Sequence, residues 1–219
     1  MILGGGLLWG AIVTVIWMRE QSARSHCNLA GIAYALHCYH DEHGRFPPAF
    51  LRSPDGQPLL SWRVLILPYL EHPELYHEFR LDETWDSPHN IQLLKQMPYA
   101  YKAAWTRYVD VPAHHTVCRV FAGRGTAFES CDGVPLDDFP DGSGNTLLFV
   151  EAGEPVPWTM PEAIDYDPAE PVQLRGLFRA GFRACSADGA YRFIKYDTDQ
   201  LFLHNVIQRN SGENKPWDR

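Results

Sequence analysis

Positive charge is in short supply in this chain. Its 19 Lys and Arg stand against 27 Asp and Glu, for a net charge of -8. Affinity for nucleic acid comes from cations that neutralise phosphates, so no nucleic-acid partner is expected. Cysteine is scarce too: five are scattered over 219 residues, too few for a disulfide-framework miniprotein. Five is also odd, so at least one thiol stays free or pairs between chains. There is no internal repeat and no low-complexity tract, and the glycines and prolines show no period, which excludes collagen. No HExxH, P-loop, nucleophile elbow or dinucleotide fingerprint occurs. Gly123-Arg124-Gly125 lacks both the third glycine and a following helix. The chain is therefore expected not to be an enzyme. What is present is core material: 45% of residues are hydrophobic and 21% charged. That suits one packed domain, or one domain plus an anchor.

Charge is missing altogether between Met1 and Met18. Leu3, Leu7, Leu8, Trp9, Ile12, Val13, Val15, Ile16 and Trp17 make this run apolar. As a helix it would span roughly 27 Å, close to the hydrocarbon thickness of a bilayer. The run therefore reads as a transmembrane anchor, ended by Arg19 and Glu20. Two other readings fit less well. A cleaved signal peptide would carry a basic start, and a buried core helix would not open on Gly4-Gly5-Gly6. Beyond it, Leu29, Ile32, Ala33, Leu36 and Tyr39 recur at helical spacing up to His43, where Gly44 and Pro47-Pro48 stop the helix. The expected organisation is an anchor over 1–18, its helical continuation over 19–44 and a globular head over 45–219.

In the head, residues 46–57 read as loop. Short helices are expected over 62–70, 73–79 and 88–96, and strands over 106–111, 116–122 and 146–151. Asp188-Gly189 predicts a tight turn joining strands 181–186 and 190–195. A last helix over 199–209 is capped near Thr198 or Asp199. The order gives an α+β fold with a small, mostly antiparallel sheet.

Several motifs carry a resemblance. Leu36-His37-Cys38-Tyr39-His40-Asp41 is followed by Gly44-Arg45-Phe46-Pro47-Pro48. Ser61-Trp62-Arg63-Val64-Leu65-Ile66-Leu67-Pro68-Tyr69-Leu70-Glu71 and Trp85-Asp86-Ser87-Pro88-His89-Asn90 come next. Gly125-Thr126-Ala127-Phe128, Asp141-Gly142-Ser143-Gly144-Asn145-Thr146, Val150-Glu151-Ala152-Gly153 and Val156-Pro157-Trp158-Thr159 complete the set. Over residues 19–213 the chain resembles the bacterial pilin-like family known as domain of unknown function 1559, which also carries a solute-binding-protein-like label. The resemblance implies a type IV pilin or pseudopilin architecture, with a long N-terminal transmembrane helix packed on the sheet and a head outside the cytoplasm. It brings no catalytic residue. Three features depart from the family pattern. The span 1–18 has no carboxylate and no basic leader, which speaks against peptidase processing and filament assembly unless the start lies upstream. Phe178 stands where relatives have the His that precedes Asp-Gly. Lys102-Ala103-Ala104-Trp105 replaces a Cys-Pro-containing stretch.

Candidate chemistry is sparse. Asp132, Asp137, Asp138, Asp141 and Asn145 form an oxygen-rich loop of a kind that could hold calcium, as some pseudopilins do; equally, such residues bond their own backbone in solvated turns. His37, His40 and Asp41 share a helix face at spacing suited to a metal, or else sit at the junction of helix and head. Cys118 and Cys131 bracket a segment that a disulfide would close into a loop. No cofactor beyond calcium is expected. The expected function is that of a membrane-anchored, pilin-like structural component at the inner membrane, whose partners are lipid and other pilin-like subunits. The alternative is a membrane-tethered solute- or glycan-binding module.

Overall fold

The computed structural model describes residues 28–103, 109–129, 131–213 and Trp217. Helix α1 covers residues 28–43 of this range. Its Leu29, Ile32, Ala33, Ala35 and Leu36 are buried, while Tyr34, Asp41 and Glu42 face solvent. Gly44 stops it in a left-handed conformation (φ +72°), its N–H bonded to the His40 carbonyl at 2.7 Å. Strands β1 (Phe50–Arg52) and β2 (Pro58–Ser61) then form a small hairpin. Ser61 caps α2 (Trp62–Leu65), which tightens into a 3-10 turn over Leu67–Leu70 where Pro68 interrupts it. Helix α3 (Pro73–Glu78) starts on a proline, and Asn90–Gln96 is 3-10 rather than α.

The main sheet has four antiparallel strands in the order β3-β5-β7-β8. These are β3 (His115–Arg119), β5 (Leu147–Pro157), β7 (Gly181–Ser186) and β8 (Tyr191–Lys195). Strands β4 (Phe121–Ala122) and β6 (Ile164–Asp165) form a short parallel pair beside it. Helix α4 (Gln200–Ile207) follows, and its N-cap Asp199 accepts the Phe202 N–H at 3.0 Å.

All six residues of β7 are buried, so the sheet must be covered on both faces. On one face, Phe149, Cys118 and Cys185 join α1, Phe46, Trp62, Tyr101 and Trp158 in the larger core. On the other, Val150, Ala152, Phe182, Ala184 and Ile194 meet Leu203, Val206 and Ile207 of α4.

This arrangement corrects the expected architecture. The fold is α+β with an antiparallel sheet, as read from the sequence, but the pilin-like form with a long N-terminal transmembrane helix is not supported. The described part of α1 is about 24 Å long, and its apolar stripe is used up in packing against the head. No described helix is long and apolar enough to cross a membrane. The anchor expected over residues 1–18, from Leu3 to Trp17, lies outside the described residues, as do residues 106–108 of the strand expected over 106–111.

Candidate functional site

The most constrained polar group in the head is Arg63. Its side chain is completely buried among aromatic residues, where an unpaired charge would be prohibitive. Backbone carbonyls solve the problem. Nε donates to Trp158 O at 2.7 Å, Nη1 to Cys118 O at 2.8 Å and Nη2 to Met160 O at 3.1 Å. Its own carbonyl accepts the Tyr101 hydroxyl at 2.8 Å. Burial lowers the Arg63 pKa to about 10, which still leaves it charged at neutral pH. Arg63 therefore ties α2 to β3 and to the end of β5. It is a structural bolt, sealed from any ligand.

A cleft of about 720 Å³ opens on the other face of the sheet, beside the second core. Phe182 and Leu203, both buried, contribute to its lining at the base, and Val172 and Leu174 form one wall. That wall is an extended segment clipped on by side chains. The Gln200 amide accepts from Val172 N at 2.8 Å and donates to Val172 O at 3.4 Å. The Tyr196 hydroxyl accepts from Gly176 N at 2.8 Å and donates to Phe178 O at 3.0 Å. Gly153 N donates to Arg175 O at 2.7 Å, so the wall borders β5 where that strand passes the end of β7. A Cβ on Gly176 would lie 2.4 Å from the Phe182 Cβ, so only glycine lets the wall sit this close. Glu154, Arg175 and Lys195 contribute both charge signs to the lining, and none of them takes part in an ion pair among the described residues. Phe178 also lines the cleft, and its ring centroid lies 4.2 Å from the Arg183 guanidinium carbon. Arg183 in turn meets Glu151 at 3.9 Å, with both side chains buried. Phe178 thus packs against a buried cation.

The residues singled out in the sequence have other roles. Among the described residues no three His, Cys, Asp or Glu side chains gather to hold a metal ion, so neither proposed ligand set assembles. Asp141 is buried and accepts from Ser211 Oγ at 2.7 Å, from Ser211 N and from Gly212 N at 3.2 Å. Asn145 donates to the Asp141 carbonyl at 2.9 Å, while Asp137 and Asp138 lie in a 3-10 turn. Asp132 is exposed in the same loop. The Asp141 carboxylate holds the chain that follows α4, in the way that Asp and Asn satisfy backbone donors in turns. His40 Nε2 accepts the Leu136 N–H at 3.1 Å, and both His37 and His40 pack against Phe46, with centroids 5.5 and 5.1 Å away. This is the junction of helix and head. Asp41 is exposed, 3.7 Å from His40 Nδ1.

The disulfide expected between Cys118 and Cys131 does not form. Both are free, because Cys118 points into the core from β3 while Cys131 is exposed. Burial pushes the Cys118 thiol well above its ordinary pKa and the Cys185 thiol up to about 12.

The sequence did not reveal the cleft. Its wall, residues 172–176, lies between the elements read from the sequence, and tertiary contacts alone set it beside Phe182. No curated protein and no solved structure matches the chain. The motifs that carry the resemblance run on to Thr159, but the family model matches a shorter stretch. Residues 18–118 match the model of the family described as protein of unknown function (DUF1559), labelled SBP_bac_10, the family that the motifs of α1 and α2 resemble.

Proposed function

We propose that the protein is a non-enzymatic binding module that takes a small charged solute into the cleft between the 172–176 wall and the β7–β8 hairpin. The observation that carries this reading is the cleft itself. Its volume of about 720 Å³ falls in the range of small-molecule sites, and it joins an apolar base to a few convergent polar groups. Arg175 and Lys195 are suited to an acidic group, Glu154 to a basic one, and Phe178 and Tyr196 to an apolar or ring portion. The label of the matching family model is compatible with solute binding. The non-enzymatic part of the reading draws support from Cys118 and Cys185. Both thiols are buried and their pKa values raised, which makes them inert.

The test is a thermal-shift screen with millimolar carboxylic acids, amino acids and neutral sugars, run on the parent and on an Arg175→Ala/Lys195→Ala variant. A ligand that binds only the folded state raises Tm. At least one acidic member of the panel is expected to raise Tm in the parent and not in the variant. A panel that leaves Tm unmoved, or a shift that persists in the variant, would sink the reading.

A further inference from the structure

A second cleft, of about 280 Å³, lies between the 3-10 turn ending at Gln96 and the turn that leads into β3. It is separate from the site proposed above. Its titratable lining consists of Lys95, Lys102, His114 and His115, and no acidic side chain lines it among the described residues. This is unusual in a chain of net charge -8. The clefts elsewhere mix signs: Glu154 with Arg175 and Lys195 in one, Arg52 with Glu129 and Asp165 in another. Asp110, close by in sequence, does not contribute to the lining. Lys95 and Lys102 are exposed and in no ion pair among the described residues. Lys102 Nζ lies over the Tyr99 ring, 5.8 Å from its centroid. Like charges gathered this way repel until a counter-charge enters.

The backbone supplies an independent observation. His114 has φ +63°, in a turn closed by the His115 N–H donating to Pro112 O at 3.1 Å. Glycine or asparagine is the usual occupant of such a position, and a non-glycine residue held there is strained. The strain sets a histidine beside two lysines at a cleft mouth. His115 Nδ1 is 3.0 Å from the Ala113 carbonyl, a contact that orients its ring.

We infer that this cleft binds a small oxyanion, either free inorganic phosphate or the phosphate group of a larger molecule such as a lipid headgroup. Lys95 and Lys102 supply the charge, and the His114 ring supplies a directional N–H.

Calorimetric titration of the whole protein with sodium phosphate in a chloride background tests the inference. Co-sedimentation with phosphatidic-acid vesicles, against phosphatidylcholine vesicles, forms the second arm. Saturable phosphate binding is expected in the parent, weakened at least tenfold in Lys95→Ala/Lys102→Ala. His114→Gly relieves the backbone, so it should keep or raise Tm while weakening phosphate severalfold. That combination separates a ligand contact from a folding defect. Vesicle binding that depends on the two lysines, without binding of free phosphate, would assign the site to a headgroup. Absence of both kinds of binding, or equal binding by the double variant, would overturn the inference.

Discussion

The chain before residue 118, most of which the family model matches, and the chain after it are built differently. The earlier part is a mosaic of short pieces: α1, a three- and four-residue hairpin, α2, α3 and several 3-10 turns. None of these could stand alone, because short helices and isolated hairpins are marginal in water. They are held by packing around Trp62, Tyr101 and Trp158 and by the Arg63 bolt. The later part holds β5, β7, β8 and α4, whose ladders and apolar faces give a second core. The difference teaches that the recognisable sequence pattern lies mainly where many short elements must agree on one buried centre. The larger cleft lies in the part the family model does not match, apart from Val109 on its rim.

The dependence of the earlier part on its bolt gives the largest expected effect. Arg63→Met removes the charge but strands the Trp158, Cys118 and Met160 carbonyls, each costly to leave unsatisfied in the core. A loss of about 3–5 kcal/mol is expected in urea denaturation, for a buried network broken from one side. A loss under about 1 kcal/mol would show that the two parts hold together without it.

A smaller effect is expected at Gly133, where the two parts also meet. Its φ is +86°, and a Cβ there would lie 1.9 Å from the Phe46 carbonyl oxygen. Gly133→Ala should cost about 2–3 kcal/mol, from a backbone clash added to left-handed strain. Gly56→Ala is the control. It has φ +89° with nothing within 4 Å of the new Cβ, so only the strain of about 1 kcal/mol should appear. Equal losses at the two sites would mean that the Phe46 contact is not a hard one.

The smallest effect belongs to the β7–β8 hairpin. Burial works to raise the Asp188 pKa, but the Ser186 hydroxyl at 2.6 Å, the Ala190 N–H at 3.0 Å and Arg192 outweigh it and hold it below its ordinary value. A carboxyl with a depressed folded pKa stabilises fully above its unfolded value of about 3.9, and that contribution fades as pH falls through the folded value. Asp188→Asn should therefore lower Tm slightly at pH 7, and the gap to the parent should narrow as the pH falls below the ordinary carboxylate range. A gap that is constant with pH would place the effect in the turn's shape rather than its charge.

Local signals were strong in the later part. Asp188-Gly189 announced its hairpin, with Gly189 at φ +81°, and Asp199 announced the start of α4. The same signal, Asp55-Gly56, marks the β1–β2 hairpin, yet residues 46–57 read as loop because the flanking strands are too short to show alternation. Strand β5 runs on to Pro157, beyond the apolar run that marks its start. Pro155 and Pro157 are tolerated because β5 has left β7 by then and its remaining ladder partner is β3. The oxygen-rich loop looked like a cation site because a list of acids does not show which of them face backbone N–H groups. Asp141 does, and it is satisfied there.

By itself the sequence determined what local chemistry can determine: the α+β order, the glycine and proline stops, the caps and the Asp-Gly turn. These depend on the φ and hydrogen-bonding preferences of single residues and their near neighbours. Only the tertiary structure decided that the sheet is buried on both faces, that Arg63 has carbonyls for partners, and which charges share a cleft. Those outcomes depend on residues far apart in the chain coming together, such as Arg63 and Met160 in one hydrogen bond or Lys95 and His114 in the lining of one cleft.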